Sequence, residues 1–149
     1  MATLAVASYD PAVAVTKATT ALLAMTALDT VNLRCTFTVP ANGRVICRLK
    51  GTIHGASTLP AILLGVMEGA TVRGRASPDV GGGNLVATGL YSAEALIPVV
   101  GLTPGATVSL DAAYGVETAV ASTGLKYGGP NDATTNNAFG AFVFEVWEA

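Results

Sequence analysis

Residues 32–53 contain two runs in which apolar and polar side chains alternate, joined by Pro-Ala-Asn-Gly at residues 40–43. The apolar positions of the first run are Leu33, Cys35, Phe37 and Val39. Those of the second run are Val45, Cys47, Leu49 and Ile53. A period of two is typical of a strand with one buried face, and Pro-Ala-Asn-Gly is typical of a turn. The pattern predicts two successive strands and favours an all-β sandwich or barrel.

Both cysteines lie at apolar positions, and the sequence leaves two arrangements of the runs open. If the runs form a hairpin in which Val39 faces Gly43, then Cys35 lies opposite Cys47. If they belong to opposite sheets, both thiols still point into the core. The N-terminal residues lack the positively charged segment of a signal peptide, so we expect reduced, buried thiols rather than a disulfide.

The rest of the chain also indicates strands and turns. The run 61–67 is apolar without alternation, residues 106–114 alternate, and residues 139–147 form an aromatic final strand. We predict a jelly-roll β-sandwich of about eight to ten antiparallel strands over residues 31–149. Residues 1–30 are predicted to form an extended N-terminal arm and a first strand. The expected core residues are Phe37, Val45, Leu49, Val108, Leu110, Phe142 and Phe144.

The composition indicates a protein with covered outer faces. Only 12% of the 149 residues are charged, against about 25% in an average soluble domain, and the mean hydropathy is +0.54. A chain this poor in charge is either a membrane protein or one whose faces are covered by copies of itself or by a partner. No apolar run approaches the ~20 residues of a spanning helix. The net charge of −2 gives no general attraction for nucleic acid. We therefore expect an oligomer or shell subunit, with neither membrane nor nucleic acid as partner.

Three motifs resemble those of the trimeric jelly-roll heads of the complement-head/tumour-necrosis-factor superfamily. The first is Phe-Thr-Val-Pro at residues 37–40 leading into a long strand, and the second is Leu-x-x-Gly-x-x-Val-x-Leu at residues 102–110. The third is Phe-Gly-Ala-Phe-Val-Phe at residues 139–144, with the glycine one place earlier than in the superfamily. The chain also resembles small virion proteins of tailed bacteriophages, in Thr-Phe-Thr-Val-Pro, Leu-Gly-Val-Met-Glu-Gly and the ending Phe-Glu-Val-Trp-Glu.

These resemblances imply a structural virion protein rather than an enzyme. The expected function is that of a homotrimeric decoration or cement subunit on a bacteriophage capsid, made in the host cytoplasm and bound to the major capsid protein or other virion subunits. The alternative is a receptor-binding tip of a fibre or spike, with loops 78–84 and 128–137 contacting the host.

Two sets of residues are predicted to form contacts. The apolar run suggests a trimer interface at Ile62, Leu64 and Val66. The partner-binding residues are expected on the arm and on a cationic patch, and they are Leu4, Val6, Tyr9, Arg34, Arg48 and Lys50. The arm is a candidate strap onto neighbouring subunits.

The residues that carry catalysis or bind metals are scarce. His54 is the only histidine, so no His-rich metal site is possible, and no Gly-x-Ser-x-Gly motif supports a catalytic triad. Asn131, Asp132, Asn136 and Asn137 could offer oxygen ligands to calcium, but one carboxylate is too few for a tight site. The glycines at 81–83 lack the context of a phosphate-binding loop. We predict no catalytic residue, no cofactor and no metal.

Overall fold

The computed structural model describes residues 1–18, 24–54, 61–76, 82–84, 90–116, 123–129 and 140–149. These residues form antiparallel strands arranged in two sheets, so the all-β prediction is confirmed. The described strands are β1 (Thr3–Tyr9), β2 (Val15–Ala18), β3 (Met25–Ala27), β4 (Arg34–Thr38), β5 (Val45–His54), β6 (Ala61–Glu68), β7 (Thr71–Arg75), β8 (Gly82–Asn84), β9 (Leu90–Val99), β10 (Thr107–Val116), β11 (Thr123–Tyr127) and β12 (Phe142–Glu148).

Sheet A is built around β5. Strand β9 pairs with β5 along its whole length, and β12 and β11 follow each other along the opposite edge of β5. Next to these, β1 pairs with β12 and β2 pairs with β11. The sheet is therefore four strands wide.

Sheet B is built around β10 and β6, which pair with each other. Strands β3 and β4 share the free edge of β10, while β7 and β8 share that of β6. Consecutive strands that share one position in a sheet are counted once here, namely β1 with β2, β3 with β4, β7 with β8, and β11 with β12. The described strands then fill eight positions, numbered along the chain. Sheet A has the order first, eighth, third, sixth, and sheet B has the order second, seventh, fourth, fifth. This is the strand order of a jelly roll.

The turn at residues 40–43 carries the chain from one sheet to the other. Strand β4 belongs to sheet B and β5 to sheet A, so the hairpin that would place Cys35 opposite Cys47 is wrong and the opposite-sheet arrangement is correct. The loop that precedes β10 satisfies the backbone here: the Leu102 N–H donates to the Gly43 carbonyl at 3.2 Å, and the Gly105 N–H donates to the Val39 carbonyl at 2.9 Å. These bonds replace the ones that a hairpin would make.

The three strands described within the first thirty residues lie along the edges of both sheets. Strands β1 and β2 form the outer position of sheet A, and β3 forms part of the outer position of sheet B. One strand is predicted from the sequence within residues 1–30, whereas three described strands precede Val31 and pair with the two sheets. Removing residues 1–28 would uncover β12 and β11, so we expect the sandwich to need these residues in order to fold.

One large cluster of buried side chains fills the space between the sheets. Of the seven predicted core residues six are buried, and the exception is Val108, which is partly buried and packs against the cluster. Val108 lies near the start of β10, where the sandwich ends, so water reaches part of its side chain. The core is drawn from both sheets, as the alternating patterns predict.

Candidate functional site

The outer face of sheet A combines paired charges with exposed apolar side chains. We call it the A face and define it by residues on the solvent side of β1, β5, β9 and β12. These residues are Val6, Ile46, Arg48, Lys50, Glu94, Leu96, Val143, Glu145 and Trp147. Their direction follows from the pleat, because the intervening residues of β5, Val45, Cys47 and Leu49, are fully buried.

An ion-pair network lies at the centre of the A face. Arg48 lies between its cross-strand neighbours Leu96 and Glu145. Its Nε is 2.7 Å from Glu94 Oε1, and its Nη1 is 3.2 Å from Glu145 Oε2. Lys50 Nζ is 3.9 Å from the second oxygen of Glu94. The hydrogen bond to Glu94 is the largest cause that raises the pKa of Arg48 above its ordinary value. The charge of Glu94 and the hydrogen bond and charge of Glu145 add to it, and together they outweigh burial, which lowers the pKa.

Arg48 also covers an aromatic ring. Its guanidinium carbon lies 5.8 Å from the ring centroid of Trp147, within the range of a cation–π contact. Trp147 is paired with Ile46 on the neighbouring strand and is half-buried. The central side chains of the face therefore hold one another in place.

Apolar side chains surround the network on both sides. Val6 is 55% exposed on β1 and Leu96 is 53% exposed on β9. The two positive and two negative side chains of the network cancel, so the face has no net charge. A partner could cover it without leaving an unpaired charge in a dry contact, which is the costly outcome in protein interfaces.

Arg34 does not belong to this face. It lies on the outer side of sheet B, where its Nε is 2.7 Å from Asp111 Oδ1 and a second nitrogen is 2.9 Å from Oδ2. Hydrogen bonding to Asp111, with the attraction of its charge, raises the pKa of Arg34. Arg34, Arg48 and Lys50 therefore do not form one cationic patch, and each has an acidic partner. The prediction failed because β4 and β5 lie in different sheets.

The three arm residues are distributed differently. Val6 lies on the A face, whereas Leu4 and Tyr9 are half-buried and pack against the core. The ring of Tyr9 meets Tyr127 edge-on at a centroid distance of 6.4 Å. Of the three, only Val6 is positioned to contact a partner directly.

The predicted trimer interface at Ile62, Leu64 and Val66 is wrong. All three side chains are fully buried between the sheets of one chain. On the other side of β6, Leu63 and Met67 are also buried. The run lacks alternation because β6 is covered on both faces within its own chain.

The two cysteines are buried and free, as predicted. Burial raises the pKa of the Cys35 thiol to about 11 and that of the Cys47 thiol to about 12. Cys35 Sγ lies 3.4 Å from the carbonyl oxygen of Phe144 and donates to it. Thiols this weakly acidic are poor nucleophiles.

The described residues hold no group of three or more His, Cys, Asp or Glu that could bind a metal ion. The four residues proposed for a loop calcium site, at 131, 132, 136 and 137, lie outside the described residues. So do Ser77 to Gly81 of the glycine-rich loop, whereas Gly82 and Gly83 lie in β8. His54 is the last residue of β5.

Within the described part of the chain, no helix is long and apolar enough to cross a membrane.

Sequence reasoning missed most of the A face. Glu94, Leu96, Glu145 and Trp147 were not singled out, and neither was Asp111 of sheet B. The alternation of Val143, Glu145 and Trp147 was a usable signal, since it puts them on one side of the final strand. Which residues of β5 lie beside them could not be predicted, because a period-two pattern indicates the buried face of a strand but not its neighbours in the sheet.

Comparison with known proteins identifies no family for this chain. No protein-family model matches the chain, and no curated protein matches it significantly.

Proposed function

We propose that the protein is a non-enzymatic structural subunit that associates with copies of itself through the A face. The observation that carries the proposal is the combination on this face of exposed Val6 and Leu96 with an internally neutralised ion-pair network. Covering the face removes apolar surface from water, and each charge of the network keeps its partner when it is covered. The low charge of the whole chain supports the same reading.

The assembly that we propose is a homotrimer. The support comes from the sequence motifs that resemble trimeric jelly-roll heads, together with the jelly-roll strand order. The proposed contact between subunits lies on the A face, because Ile62, Leu64 and Val66 of β6 are buried within one chain. Arg48 and Trp147 lie at its centre, and Arg and Trp are the residue types that contribute most to protein interfaces.

We further propose that the trimer decorates and cements the capsid of a tailed bacteriophage. The support is the resemblance to small virion proteins. A trimer offers three copies of every contact, so weak attachment of each subunit to the major capsid protein is multiplied by avidity. Such a subunit functions by adhesion, and adhesion needs no cofactor.

Native mass measured by light scattering tests the association. Leu96→Asp adds an unpaired charge at the side of the A face, and we expect it to convert the trimer to monomer at micromolar concentration. The matched control is Val31→Asp, because Val31 is 82% exposed on the loop before β4 and lies off this face. A wild-type protein that remains a monomer, or a Leu96→Asp variant that remains a trimer, would contradict the proposal.

Particle binding tests the capsid assignment separately. Purified protein is mixed with capsids that lack it, and co-sedimentation is measured alongside binding to host cells. We expect capsid binding that Leu96→Asp weakens through loss of avidity. Binding to host cells with none to capsids would instead favour the fibre-tip alternative.

A further inference from the structure

The turn between β4 and β5 contains Asn42-Gly43, the one Asn-Gly pair in the sequence. Asn42 is exposed. Gly43 has a φ of +65°, and a Cβ at this position would lie 2.7 Å from the Leu102 carbonyl oxygen. The turn therefore requires glycine, and a glycine nitrogen is the least hindered backbone nucleophile beside an asparagine side chain.

Three hydrogen bonds hold the reactive groups of this pair. The Gly43 N–H donates to the Pro40 carbonyl at 3.0 Å. The Arg44 N–H donates to Asn42 Oδ1 at 3.0 Å, and Asn42 Nδ2 donates to the Ala149 carbonyl at 2.7 Å. The last contact ties the turn to the residue just beyond β12.

We propose that Asn42 is a site of spontaneous deamidation that the native turn keeps largely unreacted, and that reaction releases the end of β12 from the turn. This inference stands on the turn alone and does not depend on the proposed function. It assigns a covalent modification to a residue type known for chemical lability.

The reaction needs only hydroxide and water. Hydroxide removes the proton from the Gly43 nitrogen, which attacks Cγ of Asn42 and forms a carbon–nitrogen bond. The bond from Cγ to Nδ2 then breaks, and Nδ2 takes up a proton and leaves as ammonia. Water opens the resulting succinimide at Cγ to give aspartate, or at the backbone carbonyl carbon to give isoaspartate.

The native hydrogen bonds oppose each of these steps. A backbone N–H that is bonded to a carbonyl must open before it can lose its proton, as in amide hydrogen exchange. The Asn42 amide must also leave its contacts with Arg44 and Ala149 before Nδ2 can depart. We expect reaction in the native protein at least about tenfold slower than in the unfolded chain, a factor that corresponds to about 1.4 kcal/mol of opening free energy.

The product cannot keep the contact with Ala149. Deamidation replaces the Nδ2 donor with a carboxylate oxygen, which faces the Ala149 carbonyl as a second acceptor. Isoaspartate also lengthens the backbone within the crossing between the sheets. The neighbouring Glu148 N–H, which donates to the Ala2 carbonyl at 2.9 Å, should then exchange faster with solvent.

Peptide mass spectrometry tests the proposal on the whole protein. Native and guanidinium-unfolded samples are held at mildly alkaline pH, digested with trypsin and analysed for residues 35–44. Asn32 in the peptide of residues 18–34 is the internal control, since it precedes the bulky Leu33. We expect conversion at Asn42 in the unfolded sample, slow conversion in the native one, and none at Asn32. Equal rates in both samples, or no conversion in the unfolded chain, would overturn the proposal.

Two variants test the consequence for β12. Asn42→Asp imitates the product, and Asn42→Ala loses the same hydrogen bonds without adding charge. We expect amide exchange at Glu148 to be fastest in Asn42→Asp, intermediate in Asn42→Ala and slowest in the wild type. Unchanged exchange in both variants would show that Asn42 does not hold the end of this strand.

Discussion

The outer faces of the two sheets each carry an arginine paired with carboxylates, in different surroundings. On sheet B, Asp111 is 1% exposed, and Arg34 is the only cation paired with it in the described structure. On sheet A, Glu94 and Glu145 keep contact with water, and Arg48 is shared between them. The pair on sheet B therefore compensates a buried charge, whereas the network on sheet A lies in contact with water and leaves the A face without net charge.

The apolar side chains of the two faces differ in the same way. On sheet B, the edge residue Met25 reaches over Gly65 and Gly115, in the space that larger residues would fill. Met25, Met67 and Ala113 form a small buried cluster there. On sheet A, Val6 and Leu96 remain exposed. Val72 at the edge of sheet B is 43% exposed, so it is the centre of that outer face, around Met25, that is covered by the chain's own side chains.

The strongest test of this difference is Arg34→Ala. Removing the guanidinium leaves Asp111 buried without its partner, so the free energy of unfolding in urea denaturation should fall more than for any of the variants below. The double variant Arg34→Met with Asp111→Leu should recover most of the loss, because no buried charge remains. A loss no larger than that of Arg48→Ala would show that the Arg34–Asp111 pair behaves as an ordinary surface ion pair.

Asp29 is a carboxylate of intermediate exposure beside sheet B, and it extends the comparison. Its Oδ1 accepts from the Val31 and Asn32 N–H groups at 2.8 Å each. Burial alone would raise its pKa, but hydrogen bonds from Asn32 and Val31 outweigh burial and hold the pKa below its ordinary value of 3.8. Asp29→Ala should lower the free energy of unfolding by about 1 kcal/mol at neutral pH.

The pH dependence of this contribution has a definite sign. Because the folded pKa is depressed, the stabilisation is complete above pH 3.8 and is lost as the pH falls through the lower folded value. The difference in unfolding free energy between wild type and Asp29→Ala should therefore shrink in acid. A difference that stays constant down to strong acid would show that the ionised carboxylate is not what holds the loop.

Arg48→Ala is the counterpart of the Arg34 variant on sheet A. Its partners remain in contact with water, so the unfolding free energy of the isolated subunit should change much less than in Arg34→Ala. Sedimentation velocity should nevertheless show weaker self-association. A large loss of subunit stability would show that the Arg48 network stabilises the fold as the Arg34–Asp111 pair does, and would contradict the difference between the two faces.

Tyr127→Phe tests the layer between the faces, and its effect should be the smallest. The Tyr127 hydroxyl is buried and has no hydrogen-bond partner among the described residues. Burial, together with the charges of Asp29 and Tyr9, raises the pKa of this phenol. Removing an unsatisfied hydroxyl should leave thermal stability unchanged or slightly higher. A clear loss of stability would show that a buried water completes the site.

Side-chain direction was predictable from the sequence, and sheet membership was not. Period-two alternation correctly oriented β4, β5 and β10, because burial of one face demands it. The same alternation fits a hairpin and a crossing between sheets, so the Cys35–Cys47 register and the single cationic patch both failed. Asp111 shows a further limit: it stands at a polar position of the alternation at residues 106–114, yet it is buried beside Arg34, which is distant in sequence.

The pairing of β1 with β12 has a consequence for how the molecule is made. Sheet A joins the first described strand to the last, and β5 has β12 as a neighbour along half its length. During synthesis the ribosome must deliver residue 142 and beyond before this sheet can close. Proteins whose strands pair over such long sequence separations fold slowly, and their unpaired strands are exposed until folding is complete. Production of this protein should therefore be sensitive to temperature and to chaperone supply, even when the finished subunit is stable.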